Sequence, residues 1–263
     1  MEQVQVLIAT MHQKDHSMLD RMNIQTDAVV INQCDYDAYE EFEYRGKNII
    51  FVSTTERGLS NSRNLALSYA KGDYLVIADE DVTYEDGYEK LILEAFYKYP
   101  QADIMAFQTE AVNCPPDRKT GMVLHTGPAP KRKTYNSVRL VIRGAAVRES
   151  GIRFNPLFGT GAKYHSGEDS FFVMDARKCG LCIYENEKLL AKVDFSGSSW
   201  FHGYDEAYFF DKGAWLACAY PKTASFMRAY FILRLWKQSD LSVRMQLNAM
   251  KMGIQDYRRT INI

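Results

Sequence analysis

Apolar positions recur in two alternating rhythms over the first 110 residues. Short runs of bulky residues occupy residues 4–10 (VQVLIAT), 28–32 (AVVIN), 47–53 (KNIIFVS), 74–78 (YLVIA) and 102–109 (ADIMAFQT). Each has the length and the β-branched content of a buried strand. Between them the spacing turns helical. Residues 11–23 are polar at first and then carry Met18, Leu19 and Met22. Ser60 is a good N-cap, and Leu65, Leu67, Tyr69 and Ala70 follow it to a glycine stop at Gly72. Tyr88, Leu91, Ile92, Ala95, Phe96 and Tyr99 form a 3.6-residue stripe that Pro100 ends. Strand and helix in alternation predict an α/β domain, a mostly parallel central sheet flanked by helices.

After residue 109 the rhythm breaks. Residues 113–135 hold Pro115, Pro116, Gly121, Gly127, Pro128 and Pro130, then Lys131-Arg132-Lys133, which predicts a loop or irregular hairpin. Residues 139–147 (RLVIRGAAV) suit a strand or the start of a new unit, residues 168–179 a helix closed by Gly180, and residues 188–195 a strand. From residue 206 the pattern is helical, through 220, then 223–237, then 241–259.

The chain's 263 residues allow one large domain, or a domain with an appendage. A net charge of −1 supplies no basic field for nucleic acid, which is excluded as a partner. No apolar run approaches the ~20 residues of a membrane span, and the opening MEQVQVLIATMHQ lacks the basic n-region of a leader. Only Cys179 and Cys182 among five cysteines lie close together, without a second ligand pair, so reduced thiols and a cytoplasmic location are expected. The stretch from Lys222 onward mixes arginine and lysine with Phe226, Tyr230, Phe231 and Trp236. That mixture fits an interfacial helix on the inner face of an anionic membrane, a packed helix with a basic outer face, or a homodimer interface.

Candidate chemistry concentrates in residues 57–84, RGLSNSRNLALSYAKGDYLVIADEDVTY, where a buried strand ends in Asp79-Glu80-Asp81. Carboxylates crowded at such a place repel one another and resist desolvation, and a divalent cation with oxygen ligands relieves both. A solvated turn can carry the same acids. The position favours a ligand, because open α/β sheets bind at the carboxyl ends of their strands. Ala9-Thr10 and Asn32-Gln33 end the first and second strands there, suited to a base and ribose. Arg63 either faces the same cleft or stands as a solvated helix residue.

These residues resemble those of family 2 glycosyltransferases with the GT-A fold, over residues 4 to about 213. The family's strand followed by P-T-Y-N appears as Ile8-Ala9-Thr10-Met11-His12, and its G-x-S-x-A-R-N-x-G as Gly58-Leu59-Ser60-Asn61-Ser62-Arg63-Asn64-Leu65-Ala66. Its D-x-D appears as Asp79-Glu80-Asp81 and its later E-D as Glu168-Asp169 after Gly167. The usual D-D-G-S is replaced by Asn32-Gln33-Cys34-Asp35, which leaves neutral amides to meet a pyrimidine edge.

The resemblance implies a GT-A-like, Rossmann-related domain over residues 1–212, with a nucleotide-sugar half (1–110), an acceptor half (111–212) and a helical C-terminal extension (213–263). It implies inverting transfer of a sugar from a nucleoside diphosphate, UDP first among them, to a saccharide or lipid-linked saccharide hydroxyl, in cell-surface polysaccharide synthesis. Ala9, Thr10, Asn32, Gln33, Arg63, Asp79 and Glu80 would hold the donor. Asp79, Asp81 and His202 would hold Mn²⁺ or Mg²⁺. Asp169 would be the base, with Glu168 orienting it or binding acceptor, and Lys131-Arg132-Lys133 would close over the diphosphate. Plainer readings stand beside these: Glu168 and Asp169 as first-turn acids answering a helix dipole, His202 as packing among aromatics, and Lys131-Arg132-Lys133 as a solvated loop. A sugar nucleotidyltransferase shares the sheet type, but no glycine-rich basic loop follows the first strand. A non-catalytic nucleotide-sugar-binding protein is the third class.

Overall fold

A computed structural model describes residues 2–114, 121–197, 203–235 and 238–261. Pro115, Pro116, Trp236 and His202 lie outside them. The chain forms two compact units, Met1–Pro156 with Glu168–Ser198, and Leu157–Gly167 with Ser199–Ile263.

The first unit is built on strands β1 (Val4–Met11), β2 (Asp27–Gln33), β3 (Ala38–Tyr44), β4 (Lys47–Thr54), β5 (Tyr74–Asp79), β6 (Val82–Tyr84), β7 (Ile104–Val112), β8 (Gly127–Pro128), β9 (Leu140–Arg143) and β10 (Ile183–Asp194). They form one sheet in the order β3-β4-β2-β1-β5-β9-β7-β10-β6, with β8 also on β10. The helices are α1 (Met18–Arg21), α2 (Leu59–Tyr69), α3 (Tyr88–Lys98), α4 (Gly144–Ser150) and α5 (Glu168–Lys178). Alternate residues of one strand serve different cores. Val6 and Ile8 join Val30, Val76 and Phe96 on one face, while Leu7 joins Val29, Ile77 and Phe172 on the other. A sheet covered on both faces needs strands apolar at every position, which is the pattern in the sequence.

The sheet is mixed. Strands β4, β2, β1 and β5 run parallel as expected, with β5 central, between β1 and β9. Strand β9 enters antiparallel to both β5 and β7, because it arrives from the long excursion after β7 and not from a crossover helix. Only four residues of the 139–147 run are strand. Gly144 then opens α4, its amide donating to the Asp73 carbonyl at 2.7 Å. The helix expected over residues 11–23 is a single turn, since β1 runs on to Met11. Helix α2 starts from Gly58 (φ 109°), with Ser60 buried inside it, and ends at Tyr69, three residues before Gly72. Gly72 serves β1 instead: a Cβ there would stand 2.8 Å from Gln5 Cβ. Strand β3 goes unannounced by an apolar run. It is an exposed edge carrying Glu40, Glu41 and Glu43, joined to β4 across Arg45 (φ 50°) and Gly46 (φ 75°), a two-residue hairpin turn. Its acids discourage another chain from pairing there.

The second unit contains α6 (Glu206–Ala219), α7 (Ala224–Leu235) and α8 (Val243–Thr260), near the predicted helical segments. Asp205 and Ser242 cap α6 and α8, accepting from Tyr208 N at 2.8 Å and Met245 N at 3.3 Å. Gly213 and Gly253 let these two helices touch backbone to backbone, with the Met250 and Phe210 carbonyls where side chains would otherwise stand. Residues 157–167 pack against them through Tyr164, whose hydroxyl donates to Asp256 at 2.8 Å. No helix among the described residues is long and apolar enough to cross a membrane.

The Gly144 turn gives a direct test of the packing. Its Cβ position collides with the Gly72 carbonyl, a backbone atom that cannot rotate away. Gly144→Val should cost about 1–3 kcal/mol of stability in a urea titration, the usual penalty of overpacking. Gly197→Ala, where nothing stands within 4 Å, should be near neutral.

Candidate active site

The register of the parallel strands gathers the predicted residues at one edge: Ala9 pairs with Asp79, and Thr10 with Asn32. Helix α2 then aims Arg63 into that edge. The Gly58 amide at its start donates to Gln33 Oε1 at 2.8 Å, so the end of β2 fixes where the helix begins.

Arg63 is 2% exposed. Its Nη2 donates to both carboxylate oxygens of Asp79, at 2.9 and 3.0 Å. Its Nη1 donates to Asp169 Oδ1 at 3.0 Å and lies 3.6 Å from Glu168 Oε1. The guanidinium stands 5.2 Å from the Phe154 ring, which stacks on Phe172 of α5 at 4.3 Å. Asn64 holds Phe154 by a reciprocal pair of 2.8 Å bonds to its backbone. One side chain therefore joins the acidic end of β5 to the first turn of α5, which lies 106 residues beyond the arginine itself.

Charge in this cluster is unbalanced. Burial works against the Arg63 cation, but Asp79, Asp169 and Glu168 more than offset it, and its pKa is raised. Burial pushes the Asp79 carboxyl up, with Arg63 opposing. Glu168 is pushed up to about 7, by burial and then by the charge of Asp169, again against Arg63. Asp81 is also raised to about 7, by lost hydration on its protein side and by Asp79, although the residue as a whole is exposed. One guanidinium cannot neutralise so many acids.

The other predicted residues divide. Glu80 turns back to β1, accepting from the Thr10 hydroxyl and from Gln13 Nε2 at 2.9 Å. Asn32 is fully buried. Its carbonyl accepts from Gln13 N at 2.9 Å, and its amide donates to Gln13 O at 3.1 Å and Ser53 Oγ at 3.3 Å. Gln33 is spent on Gly58. Buried amides pair with whatever polar groups lie in reach, and here those are the Gln13 and Gly58 backbones and the Ser53 hydroxyl. Lys133 is likewise engaged, paired with buried Glu185 of β10 beside Tyr135 and His125. Gln13 and Phe154 went unread in the sequence, and Asn64 was read only as a motif position without a role, since no motif flags a side chain that braces another.

Among the described residues, no cluster of three or more histidine, cysteine or carboxylate side chains could cage a metal unaided. The donor set still fits Mg²⁺ or Mn²⁺ met together with phosphate oxygens, since such ions use one or two carboxylates. Asp81 would supply one, and no lysine or arginine among the described residues pairs with it. Both Asp79 oxygens already accept from Arg63.

The family model "Glycosyl transferase family 2" matches residues 16–157, more than half of the chain. No curated protein matches the sequence. Among solved structures the chain is similar to S. aureus TarS 1-349 in complex with UDP-GlcNAc, with TM-score 0.63 and 16% identity over 99% of this chain and 83% of that one. The same protein with UDP gives 0.60 and 15%, over 98% and 90%. The longer TarS structure gives 0.57 and 14%, with this chain covering 43% of its length.

The Glu168 shift has a consequence for stability. A carboxyl raised from 4.5 to about 7 on folding keeps its proton longer in the folded than in the unfolded chain. Its contribution is therefore fully present below pH 4.5 and lost as pH climbs to about 7. Glu168→Gln should gain on wild type across that window by on the order of 3 kcal/mol, with little gain at pH 4. Urea titrations at several pH values check this, and parallel curves for the two proteins would refute it.

Proposed function

The chain belongs to glycosyl transferase family 2, and we propose that it moves a sugar from a nucleoside-diphosphate sugar to an acceptor hydroxyl, with inversion at the anomeric carbon. Its fold is GT-A-like, with a mixed sheet. The observation that carries the reading is the Arg63 bridge, which puts a strand-end carboxylate suited to the donor and a helix-start carboxylate suited to the acceptor on one guanidinium. The UDP-GlcNAc and UDP complexes of TarS favour a uridine diphosphate donor.

In this reading Arg63 holds Asp79 rigid toward the donor ribose, and the Thr10–Glu80–Gln13 contacts set the edge of the nucleotide cleft. Asp81 would hold Mn²⁺ or Mg²⁺, which when bound offsets the charge growing on the leaving diphosphate. Asp169 takes the proton of the acceptor hydroxyl as its oxygen bonds to the anomeric carbon and the carbon–phosphate-oxygen bond breaks. Arg63 fixes Asp169 through Oδ1 alone, leaving Oδ2 for the hydroxyl. Glu168, near neutral pKa, binds or orients the acceptor. One base and no second nucleophile mean a single displacement, hence inversion. The acceptor class is a saccharide or lipid-linked saccharide, in cell-surface polysaccharide synthesis at the cytoplasmic side.

A panel of nucleotide sugars with divalent ions tests the function. Release of nucleoside diphosphate from one of them, stimulated by acceptor, is expected. Binding without turnover would make the protein a silent nucleotide-sugar binder, and consumption of a nucleoside triphosphate with a sugar phosphate would make it a nucleotidyltransferase.

Two variants separate the roles. Asp169→Asn should keep donor affinity and lower turnover about 10²–10⁴-fold, the usual worth of a general base. Transfer at near wild-type rate would move the base to Glu168. Asp81→Asn should abolish the Mn²⁺-dependent part of donor binding in calorimetry. In the wild type that part should strengthen as pH rises through about 7, because a metal ligand must lose its proton.

A further inference from the structure

The second unit uses its three helices differently. Helix α8 buries Met250, Ile254 and Tyr257 and presents Arg244, Lys251 and Arg259 outward. It is a packed helix with a basic outer face. Helix α7 buries Ala224 and Ile232 but leaves a second apolar stripe uncovered. Phe226 is 80% exposed, Leu233 75% and Tyr230 50%, with exposed Ala229 between them. Positions 226, 229, 230 and 233 fall on one helical face. Lys222 and Arg234 flank that stripe, both exposed, and neither meets a carboxylate among the described residues.

Charge says what the stripe is for. Residues 220–263 carry eight lysines and arginines against two aspartates, a net +6 within a chain of net −1, so the remainder carries −7. We propose that α7 is a membrane-docking helix, its apolar stripe entering the acyl boundary of an anionic phospholipid surface while Lys222, Arg234 and the outer face of α8 meet the headgroups. A basic amphipathic helix with aromatic and leucine side chains on its free face is suited to that interface, and a half-exposed tyrosine matches its polar depth. A second copy of the chain fits poorly. A two-fold contact through α7 would set two +6 surfaces against each other. Three side chains on one helix also fall well short of the ~800 Å² per partner that a stable protein interface buries. This inference stands apart from the catalytic reading, since lipid binding is measured without turnover.

The test is flotation of the full chain with vesicles of phosphatidylglycerol and phosphatidylcholine, against phosphatidylcholine alone. Binding to the anionic vesicles is expected, weakening as salt rises. Phe226→Ser with Leu233→Ser should abolish it, and Lys222→Glu with Arg234→Glu should weaken it by tenfold or more, each basic residue near the surface being worth about a factor of five. All four positions are exposed, so unchanged thermal unfolding verifies that the variants fold. The proposal is overturned by equal partitioning to both vesicle types, by no partitioning to either, or by variants that leave lipid binding intact. It is also overturned if the wild type sediments as a dimer that the Phe226 and Leu233 substitutions dissociate.

Discussion

Arg63 is the constraint on which the first unit turns. A guanidinium at 2% exposure has lost nearly all its hydration, and only hydrogen-bonded carboxylates in good geometry can compensate for that. Asp79 does so through both oxygens and Asp169 through one. The pairing is mutual. Asp79 sits at the end of a strand buried on both faces, and Asp169 at the start of a helix whose Phe172 and Val173 are core. Both acids are part-buried, and the cation offsets part of what that burial costs. The arginine thus fixes the distance between two parts of the chain that no strand pairing connects directly, and Phe154 and Asn64 fix the arginine.

The same cluster is overcharged by design of its neighbours. Once Arg63 has met Asp79 and Asp169, Glu168 and Asp81 remain, and both hold their protons to about pH 7. Such groups store unfavourable free energy that a ligand can release. A divalent ion at Asp81 would displace a proton and supply the missing positive charge. A hydroxyl-rich acceptor at Glu168 would find a group able to donate or accept near neutrality.

Legibility followed physics. The buried parallel strands, α3 with its stripe and α5 with its acidic first turn were readable because hydrophobic period and chain punctuation agree there. Strand β3 was hidden because an exposed edge strand has no apolar run, only the mixed stretch AYEEFEY and a turn at Arg45-Gly46. Strand β9 was hidden in part because four residues bordered by a glycine look the same whether the next turn is extended or helical. In the site, the acids and Arg63 were legible through motif spacing. Asn32 and Gln33 were visible as polar strand ends, but their partners were not. Whether an amide faces a ligand or a loop depends on what Gln13 and Gly58 do, and that is tertiary information.

The excursion between β7 and β9 shows the same limit from the other side. Its glycines and prolines predicted a loop or irregular hairpin, and the part from residue 121 onward is fastened by buried polar groups. Glu185, fully buried on β10, accepts from the Tyr135 hydroxyl at 2.8 Å and pairs with Lys133 and His125. Tyr135 answers with a pKa pushed up, by burial and by that carboxylate. Arg139 ties the same stretch to Gln108 of β7 at 3.0 Å and to the Gly121 carbonyl. A buried carboxylate stripped of these partners would be left with an uncompensated charge, so the segment cannot lift away cheaply. What it delivers is β9, the strand that closes the gap between β5 and β7. The sheet that carries Asp79 thus runs on from β5 to β7 through a strand whose lead-in is fastened by buried polar contacts.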